Sequence, residues 1–75
     1  MTSEQLKATL RQQPFRPFTI RMVDGRSFHV PHPEWAIVSP SGRTAVVFEP
    51  DDSNSVLDVM LMSELQIPAD PMGTP

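Results

Sequence analysis

Between residues 44 and 62 the chain carries more apolar side chains than one face of a strand pair can hold. Thr44-Ala-Val-Val-Phe-Glu49 and Val56-Leu-Asp-Val-Met-Leu-Met62 are rich in β-branched and large apolar residues, and Pro50-Asp-Asp-Ser-Asn-Ser55 has the composition of a turn. The expected product is a β-hairpin with a six-residue loop and Glu49 facing Val56. Side chains alternate along a strand, so that register puts Phe48 opposite Leu57, Val46 opposite Val59 and Thr44 opposite Leu61 on one face. Val47 then falls beside Asp58, and Ala45 beside Met60, on the other. Both faces are largely apolar, and the second must be covered by another part of the chain or by another copy of it.

Length makes that demand harder to meet. At 75 residues the chain makes one domain, and a chain this short hides only about 60 % of the surface it exposes when unfolded. It has no cysteine, so no disulfide supports the core. Small unstapled cores often gain stability by oligomerisation, which makes a homo-oligomer or a protein partner the expected remedy.

The net charge of −3 conceals an asymmetry: all six basic residues precede Thr44, whereas Glu49, Asp51, Asp52, Asp58, Glu64 and Asp70 follow it with no base among them. A net acidic chain argues against broad nucleic-acid affinity. The amino-terminal residues have neither a basic nor an apolar stretch of the secretory kind, and no apolar run, 45–48 and 59–62 included, exceeds four residues. The expectation is a cytoplasmic protein that does not enter a membrane.

Thr2 and Gln5 form a capping box ahead of Leu6 and Leu10, which share one side of a helix ended by Pro14. Gln13-Pro-Phe-Arg-Pro-Phe18 is a stiff connector, because each proline fixes its own φ and extends the residue before it. Phe18-Thr-Ile-Arg-Met22 and Arg26-Ser-Phe-His-Val30 alternate apolar and polar residues around Val23-Asp24-Gly25. A two-residue loop would mix their faces. A three-residue loop with Gly25 in the left-handed position pairs Phe18 with Val30 and Ile20 with Phe28. Thr19, Arg21, Ser27 and His29 are left on a wet outer face.

Pro31-His-Pro-Glu34 makes a corner, and Trp35-Ala-Ile-Val-Ser39 a third strand. Ser39-Pro-Ser-Gly-Arg43 reads as a turn with Gly42 in the left-handed position, setting Trp35 opposite Val47, Ala36 opposite Val46 and Ile37 opposite Ala45. Residues 63–65 are expected to form one helical turn before a short strand at Gln66 and Ile67. The predicted interior is Phe18, Ile20, Met22, Phe28, Val30, Val38, Val46, Phe48, Leu57, Val59 and Leu61. A second apolar set, Trp35, Ile37, Ala45, Val47, Met60 and Met62, is only partly covered by Leu6, Leu10 and Phe15. The domain runs over 1–68 and a loose tail over 69–75.

The ordered combination of Gln13-Pro-Phe-Arg-Pro-Phe18, Asp24-Gly25-Arg26, His32-Pro-Glu-Trp35 and Ser41-Gly-Arg43 resembles a set of short bacterial proteins with no assigned activity. In topology the chain is similar to SH3-like and Sm-like small barrels. The fold class this implies is mainly β (α+β), an N-terminal helix followed by a five-stranded antiparallel meander curled into a small barrel. Sm-like RNA sites use an Asp- and Asn-bearing loop after the second strand and an Arg/Lys-Gly loop after the fourth, and neither 31–34 nor 50–55 matches.

His29, His32 and Glu34 offer metal-ligand chemistry, but Pro31 stands between the two histidines and no third fixed ligand accompanies them. The 50–55 loop fails as a helix-loop-helix calcium site, since Val56 and Met62 occupy the required glycine and glutamate places. No nucleophile elbow, phosphate loop or converging carboxylate pair is present, so neither enzymatic activity nor a cofactor is expected. The expected role is self-association or protein binding through Trp35, Ile37, Val47, Met60 and Met62. The alternative is a nucleic-acid surface of Arg16, Arg21, Arg26 and Arg43.

Overall fold

The computed structural model describes residues 2–69, and most of the predicted tail, 70–75, lies outside them. The capping box forms: Thr2 Oγ1 accepts from the Gln5 N–H at 3.3 Å and Gln5 Oε1 accepts from the Thr2 N–H at 3.1 Å. It opens helix α1 (Ser3–Leu10), which buries Leu6 completely and lays Leu10 along the rim of the core.

Strands β1 (Phe18–Met22) and β2 (Ser27–Val30) pair in the expected register, Phe18 with Val30 and Ile20 with Phe28. Gly25 has φ +94° and its N–H donates to the Met22 carbonyl at 3.0 Å, which closes the three-residue loop. Asp24 accepts from the Arg26 backbone N–H at 3.1 Å and from Arg26 Nε at 2.9 Å.

The chain then turns through a short 3₁₀ segment (Pro33–Trp35) into β3 (Ala36–Val38), β4 (Thr44–Phe48) and β5 (Asn54–Asp58). Here the predicted registers are corrected twice. Ala36 pairs with Val47 and Ile37 with Val46, one residue away from expectation. The Ser39 N–H reaches the Thr44 carbonyl at 2.8 Å, and hydroxyls lengthen the turn: Ser39 Oγ accepts from the Thr44 N–H and Ser41 Oγ from the Arg43 N–H. Between β4 and β5 the loop has three residues instead of six. Glu49 N–H donates to the Ser53 carbonyl at 2.9 Å, and Asp52 takes the left-handed place at φ +73°.

An odd shift on each side of β4 turns the side chains of that strand to the opposite face, while Leu57 and Val59 stay in the predicted interior. Ala45 and Val47 therefore lie in the core, whereas Val46 and Phe48 are only half-buried; Met62 is buried and Leu61 50 % exposed because the chain turns over Val59–Leu61.

The predicted strand 56–62 also ends early. Asp58 Oδ1 accepts from the Met60 N–H at 2.9 Å and caps a 3₁₀ turn (Val59–Leu61). The helical turn expected at 63–65 thus lies upstream, and 63–65 belong to a sixth strand, β6 (Met62–Gln66), that returns to β1. Pairing moves from Arg21–Glu64 to Met22–Met62, and the extra residue, Ser63, donates from its hydroxyl to the Arg21 carbonyl at 3.0 Å.

The result is mainly β: one short helix and six strands in two antiparallel sheets, ordered β2-β1-β6 and β3-β4-β5. Among the described residues five strands do not close into a barrel. The inner faces of both sheets meet in one cluster with Leu6, including Phe18, Ile20, Met22, Val30 and Met62 from the first sheet and Ala36, Ala45, Val47 and Leu57 from the second.

Candidate interaction surface

The outer faces of the two sheets differ in chemistry. On β2-β1-β6 the outward positions are Thr19, Arg21, Ser27, His29, Glu64 and Gln66, all polar. Arg21 pairs with Glu64 at 3.4 Å and donates to Gln66 Oε1 at 3.3 Å, while Thr19 Oγ1 and His29 Nδ1 share a hydrogen bond of 3.3 Å. On β3-β4-β5, Ile37 lies beside Val46 and Val46 beside Val56, a row of three aliphatic side chains across three strands. Ile37 is 56 % exposed and Val56 68 %. Phe48, one step along β4 on the same face, extends the row toward a shallow cleft it shares with Trp35, Glu34, Pro50 and Asp52.

The predicted interface residues are separated by this arrangement. Val47 and Met62 are fully buried inside a single chain, so they have no surface to offer a partner. Trp35 packs partly on the core, its ring 6.2 Å from that of His32. Met60 is exposed on the Val59–Leu61 turn, where Leu61 accepts from the Val23 N–H. Only Ile37 stands in the outer row. Val46 and Phe48 were not legible as surface residues, although Pro50-Asp51-Asp52 repeats the spacing of Val23-Asp24-Gly25. Asp51 accepts from Ser53 two residues on, as Asp24 does from Arg26. Aspartate is one of the few residues that tolerates the left-handed region, and that was the available signal.

The four arginines do not converge. Arg16 donates to the Pro68 carbonyl, Arg21 is held by Glu64 and Gln66, and Arg26 binds Asp24 with its guanidinium 5.6 Å from the Phe28 ring centre. Arg43 sits at the start of the second sheet, its carbonyl accepting from the Val59 N–H. His29 faces Thr19 and His32 faces Trp35, and among the described residues no three His, Cys, Asp or Glu side chains are grouped to hold a metal ion. No described helix is long and apolar enough to cross a membrane.

Two carboxyls at the hairpin tips are held below their ordinary pKa. For Asp24 the main cause is the bond from the Arg26 backbone N–H, and for Asp51 the bond from the Ser53 hydroxyl, supported by the Ser53 N–H.

Comparison with known protein families, with curated proteins and with solved structures finds no match to this chain.

Proposed function

We propose that the protein is a small, non-enzymatic module that works by association, using the outer face of the β3-β4-β5 sheet. The observation that carries this reading is the Ile37–Val46–Val56 row, which leaves three aliphatic side chains side by side on a face that no other described element covers. An antiparallel sheet with one wet face ordinarily alternates apolar and polar residues, as the first sheet does here. A contiguous apolar stripe on the second sheet is instead the mark of a surface that meets a partner.

The finer architecture we infer is the SH3-like or Sm-like plan. If β2, the corner at 31–35 and β3 are counted as one bent strand, the chain has five strands, with a 3₁₀ turn before the last and the last returning to the first. That order supports the reading. The nucleic-acid alternative loses ground because three of its four arginines are engaged within the chain.

The test is light scattering from micromolar to millimolar concentration on the wild type and on Val56→Glu. The expected outcome is a mass above the 8.4 kDa of one chain that falls to one chain in the variant, with the circular dichroism unchanged. A wild type that remains a single chain throughout removes self-association, and a mass indifferent to Val56→Glu moves association to another face.

A further inference from the structure

We infer that β5 pairs with β5 of a second copy, antiparallel and centred on Val56, so that two three-stranded sheets become one of six strands. This rests on the association reading above, names a second copy as the partner, and places the contact at the β5 edge of that face.

Backbone parity comes first. Arg43 accepts from the Val59 N–H and Glu49 donates to the Ser53 carbonyl, each at 2.9 Å, so these two pairs are the hydrogen-bonded ends of the β4–β5 ladder. Bonded and non-bonded pairs alternate in an antiparallel ladder. Ala45–Leu57 and Val47–Ser55 are therefore the bonded pairs, and Thr44–Asp58, Val46–Val56 and Phe48–Asn54 the others. It follows that the N–H and C=O groups of Asn54, Val56 and Asp58 point away from β4. β5 is the last strand of its sheet, and all three residues are exposed.

The strand is also its own complement. Turned about Val56, it sets Val56 against Val56 and Asn54 against Asp58, so each carboxylate meets an amide donor and no like charges face each other directly. The central pair exchanges two backbone hydrogen bonds. On the outer face the aliphatic row becomes six residues wide, running from Ile37 to Ile37 through both copies of Val56. Antiparallel pairing also sends the Asp51–Asp52 tip of one copy to the end of the other that carries Arg43. Arg43 is in register with Val59, about 10 Å, or two strand spacings, from the paired strand.

The remaining outer strands are guarded. β2 runs into Pro31, β6 is bulged at Ser63, and β3 lies beside α1, where Lys7, Leu10 and Arg11 border Ala36, Ile37 and Val38. β5 has no proline, lysine or bulge within it.

The absence of cysteine gives a clean test. In a bonded antiparallel pair the Cα atoms are about 5.5 Å apart, a separation that a disulfide spans. Val56→Cys should oxidise to a covalent dimer at concentrations where Ile37→Cys, on the same face but far from the axis, stays largely monomeric. Val56→Pro, which removes the central donor at an edge position that tolerates proline, should raise the dissociation constant at least about tenfold. In the wild type the Val56 amide should become protected from exchange as concentration rises, a readout independent of any variant's folding. A wild-type dimer whose Val56 amide exchanges as fast as in the monomer, and which Val56→Cys fails to trap, overturns edge pairing while leaving association through the face. A chain that never dimerises overturns both.

Discussion

The two sheets are built from the same elements, yet one advertises its register in the sequence and the other conceals it. In β1 and β2 each apolar residue alternates with a polar one, so a slip by one residue would bury Arg21 and expose Ile20, and only one pairing survives. In β3-β4-β5 both faces carry valine, isoleucine or phenylalanine, and hydrophobicity alone does not choose between registers. The choice falls to the turns. A two-sided apolar sheet is thus specified by its loops, whereas a one-sided sheet is specified by its strands.

The sharpest way to break that comparison is on β4, where Val46 and Val47 are neighbours of the same residue type. Val47→Asp should cost at least about 4 kcal/mol and unfold the domain, since it buries a carboxylate in an apolar cluster. Val46→Asp, on the outer face, should cost only about 1 kcal/mol. Urea unfolding of both variants decides it, and the reverse order would restore the six-residue loop.

The turns come next. Gly42 has φ +78°, and a Cβ there would stand 2.6 Å from Ser3 Oγ and 2.9 Å from Ser3 Cβ. At Gly25 the added carbon meets open space, and only the positive φ of +94° opposes it. Gly42→Ala should therefore cost at least about 2 kcal/mol and loosen α1, against about 1 kcal/mol for Gly25→Ala. Thermal unfolding of the pair, with equal losses as the outcome that denies the helix contact, settles the matter.

A smaller and opposite effect is expected at the third turn. Asp52→Gly relieves a left-handed residue at φ +73° and should stabilise the protein by about 0.5 kcal/mol. A loss of stability would mean that the aspartate makes a compensating contact.

The smallest effect concerns pH. The ionised Asp24 and Asp51 carboxylates accept bonds that their protonated forms give up, so each folded-state pKa lies below the unfolded one. Their contribution is present above the ordinary carboxylate range and is lost as pH falls through the lowered values. In an NMR titration the Ser53 amide should report a midpoint below that of an unstructured aspartate, and Ser53→Ala should raise it. A midpoint at the ordinary value would remove the Asp51–Ser53 link. Both carboxyls are fully exposed, so little change in overall stability accompanies the titration.

Much of the architecture was legible. Thr2 and Gln5 announced the helix start, and Gly25 fixed the first loop because glycine is the plain sign of a positive φ. Gly42 announced its conformation equally well, but not that Ser39 and Ser41 would stretch the turn by one residue. Asp52 hid the same geometry as Gly25 behind a residue that adopts it less often. Asp58 both ends β5 and caps the turn that follows, and its place inside an apolar run hides the second role and with it the return strand. The candidate surface inherited these errors: Val47 changed places with Val46 and Phe48, and Met62 turned inward, while Ile37 and Met60 kept their exposure.

The pairing of β1 with β6 has a consequence for the newborn chain. β1 is made early, yet its second neighbour comes from residues more than forty positions later, Thr19 meeting Gln66. On the ribosome the first hairpin must wait, two strands wide, until residues 62–66 have emerged. A nascent fragment stalled before Met62 lacks the strand that completes its first sheet, and acquisition of structure is thereby tied to synthesis of a segment about forty residues downstream of β1.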